Sequence, residues 1–356
     1  MASQTQIFGA PGRYIQGAGA IFNLGEYIKP LGTRVLVSGG RTGLLATRDG
    51  REQSFQASGI WQIEEPFRGE TCDSEIDRLC GIAKAHGCNV ILASGGGKVI
   101  DTVKAAAELL DVPAGIVPTT AASDAPCSAL AVIYNADGSF NRLMPLKKSP
   151  ALVVVDTEII ANAPVRQLVS GMGDAIATWF EAEAAYKSGA LNNFGGNISM
   201  AAMALSKLCR DTLLEHGSTA VQSVEDHRVT EALEKVVEAN TLLSGLGFES
   251  GGVAVAHALS ESFSIVPAMH DYTHGEKVAL GLLVHMRLEG RSEDEYREIR
   301  HFCEDVGLPV ALPDFVDEKL LWAVAQDAAT PGKPSHNLRT GITAEEILEA
   351  MQKALL

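Results

Sequence analysis

The sequence has 356 residues, 46% of them hydrophobic and 21% charged, which suits a globular chain of two ordinary domains and excludes disorder. Its 29 basic and 44 acidic residues give a net charge of −15, so neither nucleic acid nor an anionic membrane is expected as a partner, since both need a basic face. No apolar run reaches membrane-spanning length, the N-terminal stretch lacks a signal-like h-region, and six scattered cysteines without a CxxC pair read as reduced thiols; a cytoplasmic protein is expected.

The first half alternates β-branched runs with helical segments. Arg34–Ser38 is a strand candidate ended by Gly39-Gly40, and Trp61–Ile63 is a weaker one. A helix is expected over 73–86, a buried strand over Val90–Ala93, a helix over Lys98–Leu110 and a strand over Ala114–Val117 closed by Pro118. Ala131–Tyr134 with the turn Asn135-Ala136-Asp137-Gly138 predicts a hairpin, and Leu152–Val155 a last strand. Strands separated by helices imply βαβ units and a mostly parallel, Rossmann-like sheet. Beyond Pro164 the chain turns to long Ala/Leu/Glu-rich segments with almost no strand signal. The expectation is an α/β domain over 1–162 and an all-helical domain over 163–356. At the C-terminus, Thr343-Ala344-Glu345-Glu346 is a competent start for an amphipathic helix.

Two constellations carry chemistry. The segment SGGGKVID at 94–101 follows a strand and opens a helix, so Gly95, Gly96 and Gly97 let the backbone approach a pyrophosphate, with Lys98 alongside. Asp101 is expected in the first turn, where a carboxylate suits the helix dipole. A plain tight turn is the alternative. The loop from Pro118 through Thr119, Thr120 and Asp124 to Pro126 leaves the carboxyl end of the next strand, where ligands of open α/β sheets bind, although such residues also serve as ordinary turns and caps. In the second half, Asp174 in GMGDAIATWFEA, His257 in GGVAVAHALSES and His274 in HDYTHGEKVALG offer a carboxylate and two imidazoles, the donors of a catalytic zinc that keeps a coordination position open. Taken singly, Asp174 could cap a helix, His257 could be a satisfied core histidine and His274 a helix N-terminal residue.

Together with TTAASDAPCSALAVIY, PGRYIQGAGAIFNLGEYIKPLG, GLGFESGG at 245–252 and HGEKVA at 274–279, these segments resemble the glycerol dehydrogenases, within the iron-containing (group III) alcohol dehydrogenase family. The resemblance covers almost the whole chain. It implies an N-terminal Rossmann-like domain, a helical C-terminal domain with the site in the cleft, and a hydride transfer between a nicotinamide cofactor and a small polyol, hydroxyketone or aldehyde. It makes Asp174, His257 and His274 the metal ligands, with His257 also beside the substrate. Gly95–Gly97 and Lys98 would meet the pyrophosphate, with Asp101 close behind. Thr119, Thr120, Ser128, Leu130 and Tyr134 would line the nicotinamide side. Asp124 would reach a substrate hydroxyl, Phe248 would wall the pocket, and His270 could hold a second hydroxyl or pass a proton. It also suggests a homo-oligomer, from dimer to octamer.

Two departures matter. Iron-dependent relatives carry a histidine one helical turn after the aspartate, where this chain has Thr178; three protein ligands favour zinc over iron. The family's aspartate for the adenosine ribose is replaced by Gly40, followed by Arg41, so NADP is expected to be accepted and preferred to NAD. A phosphate-substrate relative on the same fold, such as glycerol-1-phosphate dehydrogenase or dehydroquinate synthase, is the alternative; its substrate would need a basic cluster, for which Lys277 is one candidate.

Overall fold

The computed structural model describes residues 5–313 and 316–356. It contains two compact units: one takes Gly9–Leu168 with Gln222–Gly245, the other takes the chain through Phe8, Val169–Val221 and Leu246–Leu356. An α/β part and a helical part are present as expected, but a single linear boundary at 162/163 gives way to an exchange of segments. Helices Val165–Ser188, Met200–Glu225 and Ser244–Gly251 each run through a crossing point, so the chain passes between units in mid-helix.

The α/β unit is built on a six-stranded, wholly parallel sheet. Its strands are β1 (Tyr14–Gly17), β2 (Arg34–Gly39), β3 (Trp61–Pro66), β4 (Val90–Gly95), β5 (Ala114–Pro118) and β8 (Leu152–Asp156), in the order β1-β8-β5-β4-β2-β3. Strands β4, β5 and β8 are buried at every position, which is why they read as unbroken apolar runs: both faces of a parallel sheet are covered by helices. A separate antiparallel hairpin pairs β6 (Leu130–Tyr134) with β7 (Phe140–Pro145), in line with the turn expected at 135–138. From β2 the chain moves to β3 on one side, and from β4 to β5 on the other. The topological switch point therefore lies between β2 and β4, and the helices Arg41–Ser58 and Gly97–Leu110 leave their carboxyl ends.

The helical unit has no strand among its described residues, matching the expectation beyond Pro164. The C-terminal helix, Ala344–Leu355, opens with a capping box in which the Thr343 hydroxyl accepts from the Glu346 N–H and the Glu346 carboxylate accepts from the Thr343 N–H. It buries Ile347, Ala350, Met351 and Ala354, spaced three and four apart, so this face is core.

Candidate metal centre and dinucleotide loops

Asp174 lies in helix Val165–Ser188, His257 in Val255–Ser262, and His274 is the first residue of His274–Glu289. Glycines beside the three candidates let their helices touch. A Cβ on Gly275 would stand 1.7 Å from the Ser170 carbonyl oxygen, and one on Gly173 would stand 2.4 Å from the Gly275 carbonyl oxygen. The backbones thus meet where Asp174 and His274 project. Gly281 meets the Ala256 carbonyl oxygen in the same way, at 2.5 Å, which seats His257 on the same helix.

The three candidate donor groups converge, with their ligand atoms all within 4.8 Å of one another. Asp174 Oδ1 is 3.3 Å from His257 Nε2 and 3.2 Å from His274 Nε2. Donors about 2.0–2.1 Å from a tetrahedral cation stand roughly 3.3 Å apart, so this spacing fits a divalent metal. Asp174 is buried while the His274 side chain is 49% exposed, leaving the set open on the histidine side. Burial opposes a charge on Asp174, yet the neighbouring imidazoles hold its carboxyl below the usual range.

Glu181, two turns along the helix from Asp174, orders the second imidazole. Its Oε2 accepts a hydrogen bond from His257 Nδ1–H at 2.5 Å, and its Oε1 accepts from the Ala254 and His257 N–H groups at 2.8 and 3.0 Å. With Nδ1 donating to Glu181, Nε2 is the ring atom left to face Asp174 Oδ1 and, once its own proton is displaced, a cation between them. Sequence reasoning missed Glu181; its signal was the i, i+7 spacing from Asp174 on one helix face. Removing this partner frees the ring, so Glu181→Gln is expected to weaken zinc binding by about 10- to 100-fold in a chelator competition. Burial alone would lower the His257 pKa, but Glu181 and Asp174 push it well above its ordinary value in the metal-free protein. A cation must then displace a proton, so wild-type zinc affinity rises with pH until that raised pKa is passed, as proton release on binding would report.

Thr178, where iron-dependent relatives place a histidine, is buried. A Cβ on Gly247 would lie 2.5 Å from its Cγ2, so that turn is filled by close packing. The structure does not bring His270 into the donor set. It sits exposed on the short turn Pro267–Asp271 with Nε2 bonded to the Ser264 carbonyl at 2.8 Å. Lys277 is likewise engaged with Ser264, its Nζ donating to Oγ at 3.1 Å.

In the α/β unit, both helices at the switch point start on a glycine that offers no side-chain cap: Gly40 before Arg41–Ser58 and Gly96 before Gly97–Leu110. Their first-turn N–H groups are the kind that bind phosphate oxygens. A Cβ on Gly96 would meet only Thr120 Oγ1 at 3.7 Å, and one on Gly97 only Ser123 Oγ at 3.8 Å, both ordinary contacts. Gly96 also has φ −91, which any residue adopts. The protein itself therefore has room for alanine here, and what the missing methyl leaves is a cradle for a ligand. Gly96→Ala is expected to keep the thermal midpoint and to weaken dinucleotide binding by about tenfold or more; equal affinity would remove this loop from the cofactor site.

Three expected cofactor contacts look elsewhere. Lys98 is paired with Glu70 at 2.7 Å and lies over the Tyr134 ring at 5.7 Å. Asp101 is not in the first turn of its helix; it is buried, paired with Lys104 at 2.9 Å, and accepts from the Val132 N–H at 3.0 Å. The Ser128 hydroxyl is buried against Lys104 Nζ at 3.2 Å. For Asp101 and Ser128 the physical reason is one buried cation: Lys104 Nζ also donates to the carbonyls of Ala125, at 3.0 Å, and Leu130. Asp101 and Ser128 complete a polar plug that fixes the loop carrying Thr119, Thr120 and Asp124. From the other side, Asn240 Nδ2, in the π-helical turn Ala239–Leu243, donates to the Ala121 carbonyl at 3.0 Å, and Ser244 Oγ donates to Asp124 Oδ2 at 3.2 Å. Thr119 and Thr120 remain partly exposed at the end of β5.

The iron-containing alcohol dehydrogenase family model matches residues 11–157. The chain is 46% identical over 350 residues to the glycerol dehydrogenase of Escherichia coli O6:H1, covering 97% of this chain and 95% of that protein. The crystal structure of a probable glycerol dehydrogenase from Sinorhizobium meliloti 1021 matches with a TM-score of 0.92 at 39% identity over 98% of both chains. That of glycerol dehydrogenase from Schizosaccharomyces pombe matches with a TM-score of 0.95 at 35% identity, covering 99% of this chain and 91% of that one.

Proposed function

Because the chain belongs to the iron-containing alcohol dehydrogenase family, among its glycerol dehydrogenases, we propose that Asp174, His257 and His274 hold a zinc ion and that NADP(H) is the preferred cofactor. The protein is a metal-dependent oxidoreductase linked to a nicotinamide cofactor and acting on CH–OH donors. The observation that carries the site assignment is the spacing of the three donors, 3.2 and 3.3 Å about Asp174 Oδ1.

When bound, the divalent cation supplies Lewis acidity that makes a substrate hydroxyl more acidic, and the nicotinamide supplies the hydride acceptor. Glu181 keeps His257 in the ligating tautomer. Gly95, Gly96 and Gly97 receive the pyrophosphate, Thr119, Thr120, Leu130 and Tyr134 flank the nicotinamide side, and Gly40 with Arg41 receives the adenosine ribose. Asp124, oriented by Ser244, accepts a hydrogen bond from a second substrate hydroxyl, which selects vicinal polyols or hydroxyketones over simple alcohols. Phe248, buried, is the apolar wall. With no Lys or Arg between 245 and 262, a phosphate-bearing substrate is not favoured. Six free cysteines suit a reducing cytoplasm, and a homo-oligomer, from dimer to octamer, completes the proposal.

The test is to follow nicotinamide absorbance with dihydroxyacetone and either NADPH or NADH, with and without chelator and added zinc. Oxidation of the cofactor that chelator stops and zinc restores is expected. Activity indifferent to chelator refutes the metal assignment, and a roughly tenfold or larger kcat/KM preference for NADH refutes the cofactor preference.

A further inference from the structure

We propose that Arg68, on β3's exit loop, forms with Arg41 the seat for the 2′-phosphate of a 2′-phosphorylated adenine dinucleotide. This rests on the NADP reading and adds to it a residue on a different strand.

The placement follows from sheet register. Strands β2 and β3 are parallel, with Gly39 paired to Pro66, and the Phe67 N–H continues the pairing to the Gly39 carbonyl at 2.9 Å. Arg41 and Arg68 therefore leave the same edge of the sheet, two residues beyond a paired position on adjacent strands, beside the switch point. Both are exposed.

The charge pattern around them singles them out. Glu64 is taken by Arg51 and Arg48, Glu65 by Arg78 at 2.9 Å, Glu75 by Arg78 at 2.7 Å, and Glu70 by Lys98 at 2.7 Å. Each of these carboxylates on β3 and the following segment already has its cation. The guanidinium groups of Arg41 and Arg68 have no ion pair or hydrogen bond among the described residues. Two guanidinium groups without a carboxylate partner, in a chain of net charge −15, thus leave adjacent strand ends on the edge where an adenosine ribose would lie.

The backbone does not force this pattern. Gly40 has φ −66 and ψ 157, open to any residue, and a Cβ there would meet nothing within 4 Å. An aspartate would fit, and would pair with Arg41 and repel a 2′-phosphate; glycine leaves the arginines free to bind one in the bidentate manner suited to phosphate.

The experiment measures equilibrium binding of 2′,5′-ADP and 5′-AMP, which differ only in the 2′-phosphate, to the full-length protein and to Arg68→Ala, Arg68→Lys and Gly40→Asp. Wild type should bind 2′,5′-ADP about tenfold tighter or more, a preference that salt erodes. Arg68→Ala should cut the affinity for 2′,5′-ADP by about tenfold while leaving 5′-AMP binding and the thermal midpoint unchanged, with Arg68→Lys between. Gly40→Asp should reverse the preference. A wild-type preference that Arg68→Ala does not alter overturns the role of Arg68 and leaves the NADP reading standing. A wild-type protein that binds 5′-AMP as well or better overturns both.

Discussion

Asp174→Ala and His274→Ala should each lower turnover by about a thousandfold or more and abolish stoichiometric metal, since the ion supplies several kcal/mol of transition-state stabilisation and about 1.4 kcal/mol is a factor of ten. The two substitutions differ in their structural risk. Asp174 is buried at a glycine-mediated helix crossing, so its removal also disturbs the pairing that holds His257 and His274. The His274 side chain is half exposed at a helix start whose capping box is made by Thr273 and Glu276, so alanine there leaves the helix intact. Circular dichroism and thermal melting should therefore match wild type for His274→Ala while metal content falls. Turnover within about tenfold of wild type in that variant would remove His274 from the catalytic site.

Lys104→Met should destabilise the protein by about 3–5 kcal/mol, on the order of 10 °C in apparent melting temperature, and should raise KM for cofactor and substrate. The Lys104 side chain is 1% exposed. Its loss leaves the Asp101 carboxylate and the carbonyls of Ala125 and Leu130 buried without their donor. The Ala125 carbonyl belongs to the loop that carries Asp124 and Leu130 opens β6 just beyond it, so the effect reaches the loop through geometry. Adding Asp101→Asn keeps an acceptor for the Val132 N–H and removes the stranded charge, and should recover part of the lost stability. A Lys104→Met variant within about 1 kcal/mol of wild type would show that the loop holds its shape without the plug.

What could be read from the residues alone followed from physical redundancy. Strands β4, β5 and β8 announce themselves through the apolar runs Val90–Ala93, Ala114–Val117 and Leu152–Val155, and the glycines at 95–97 because glycine allows the close backbone approach a phosphate needs. Strand β1 did not: Tyr14-Ile15-Gln16-Gly17 is short and half-buried, and is specified by pairing with β8, far away in sequence. Helix Arg41–Ser58 was also hidden, since of its buried residues Gly43, Leu44, Thr47, Gly50, Arg51, Ser54 and Phe55 only Leu44 and Phe55 are large and apolar. Arg51 is buried because Glu64 meets it from β3.

At the site, the three candidate donors were picked out by the resemblance of their segments to those of glycerol dehydrogenases, and the structure brings them together. Their supports were not. Glu181 and Lys104 look in sequence like ordinary solvent-facing helix residues, and only the tertiary fold turns one toward His257 and the other into the loop. Asp101 and Ser128 illustrate the converse, being polar residues near a ligand loop that serve its scaffold.

The central claim, one divalent cation held by Asp174, His257 and His274 and needed for turnover, is tested most directly by titrating metal back into chelator-stripped protein. Dihydroxyacetone reduction should rise linearly with added zinc and level off at one equivalent per chain, and the His274→Ala protein should show no such rise. Full activity in protein holding no stoichiometric divalent ion would contradict it.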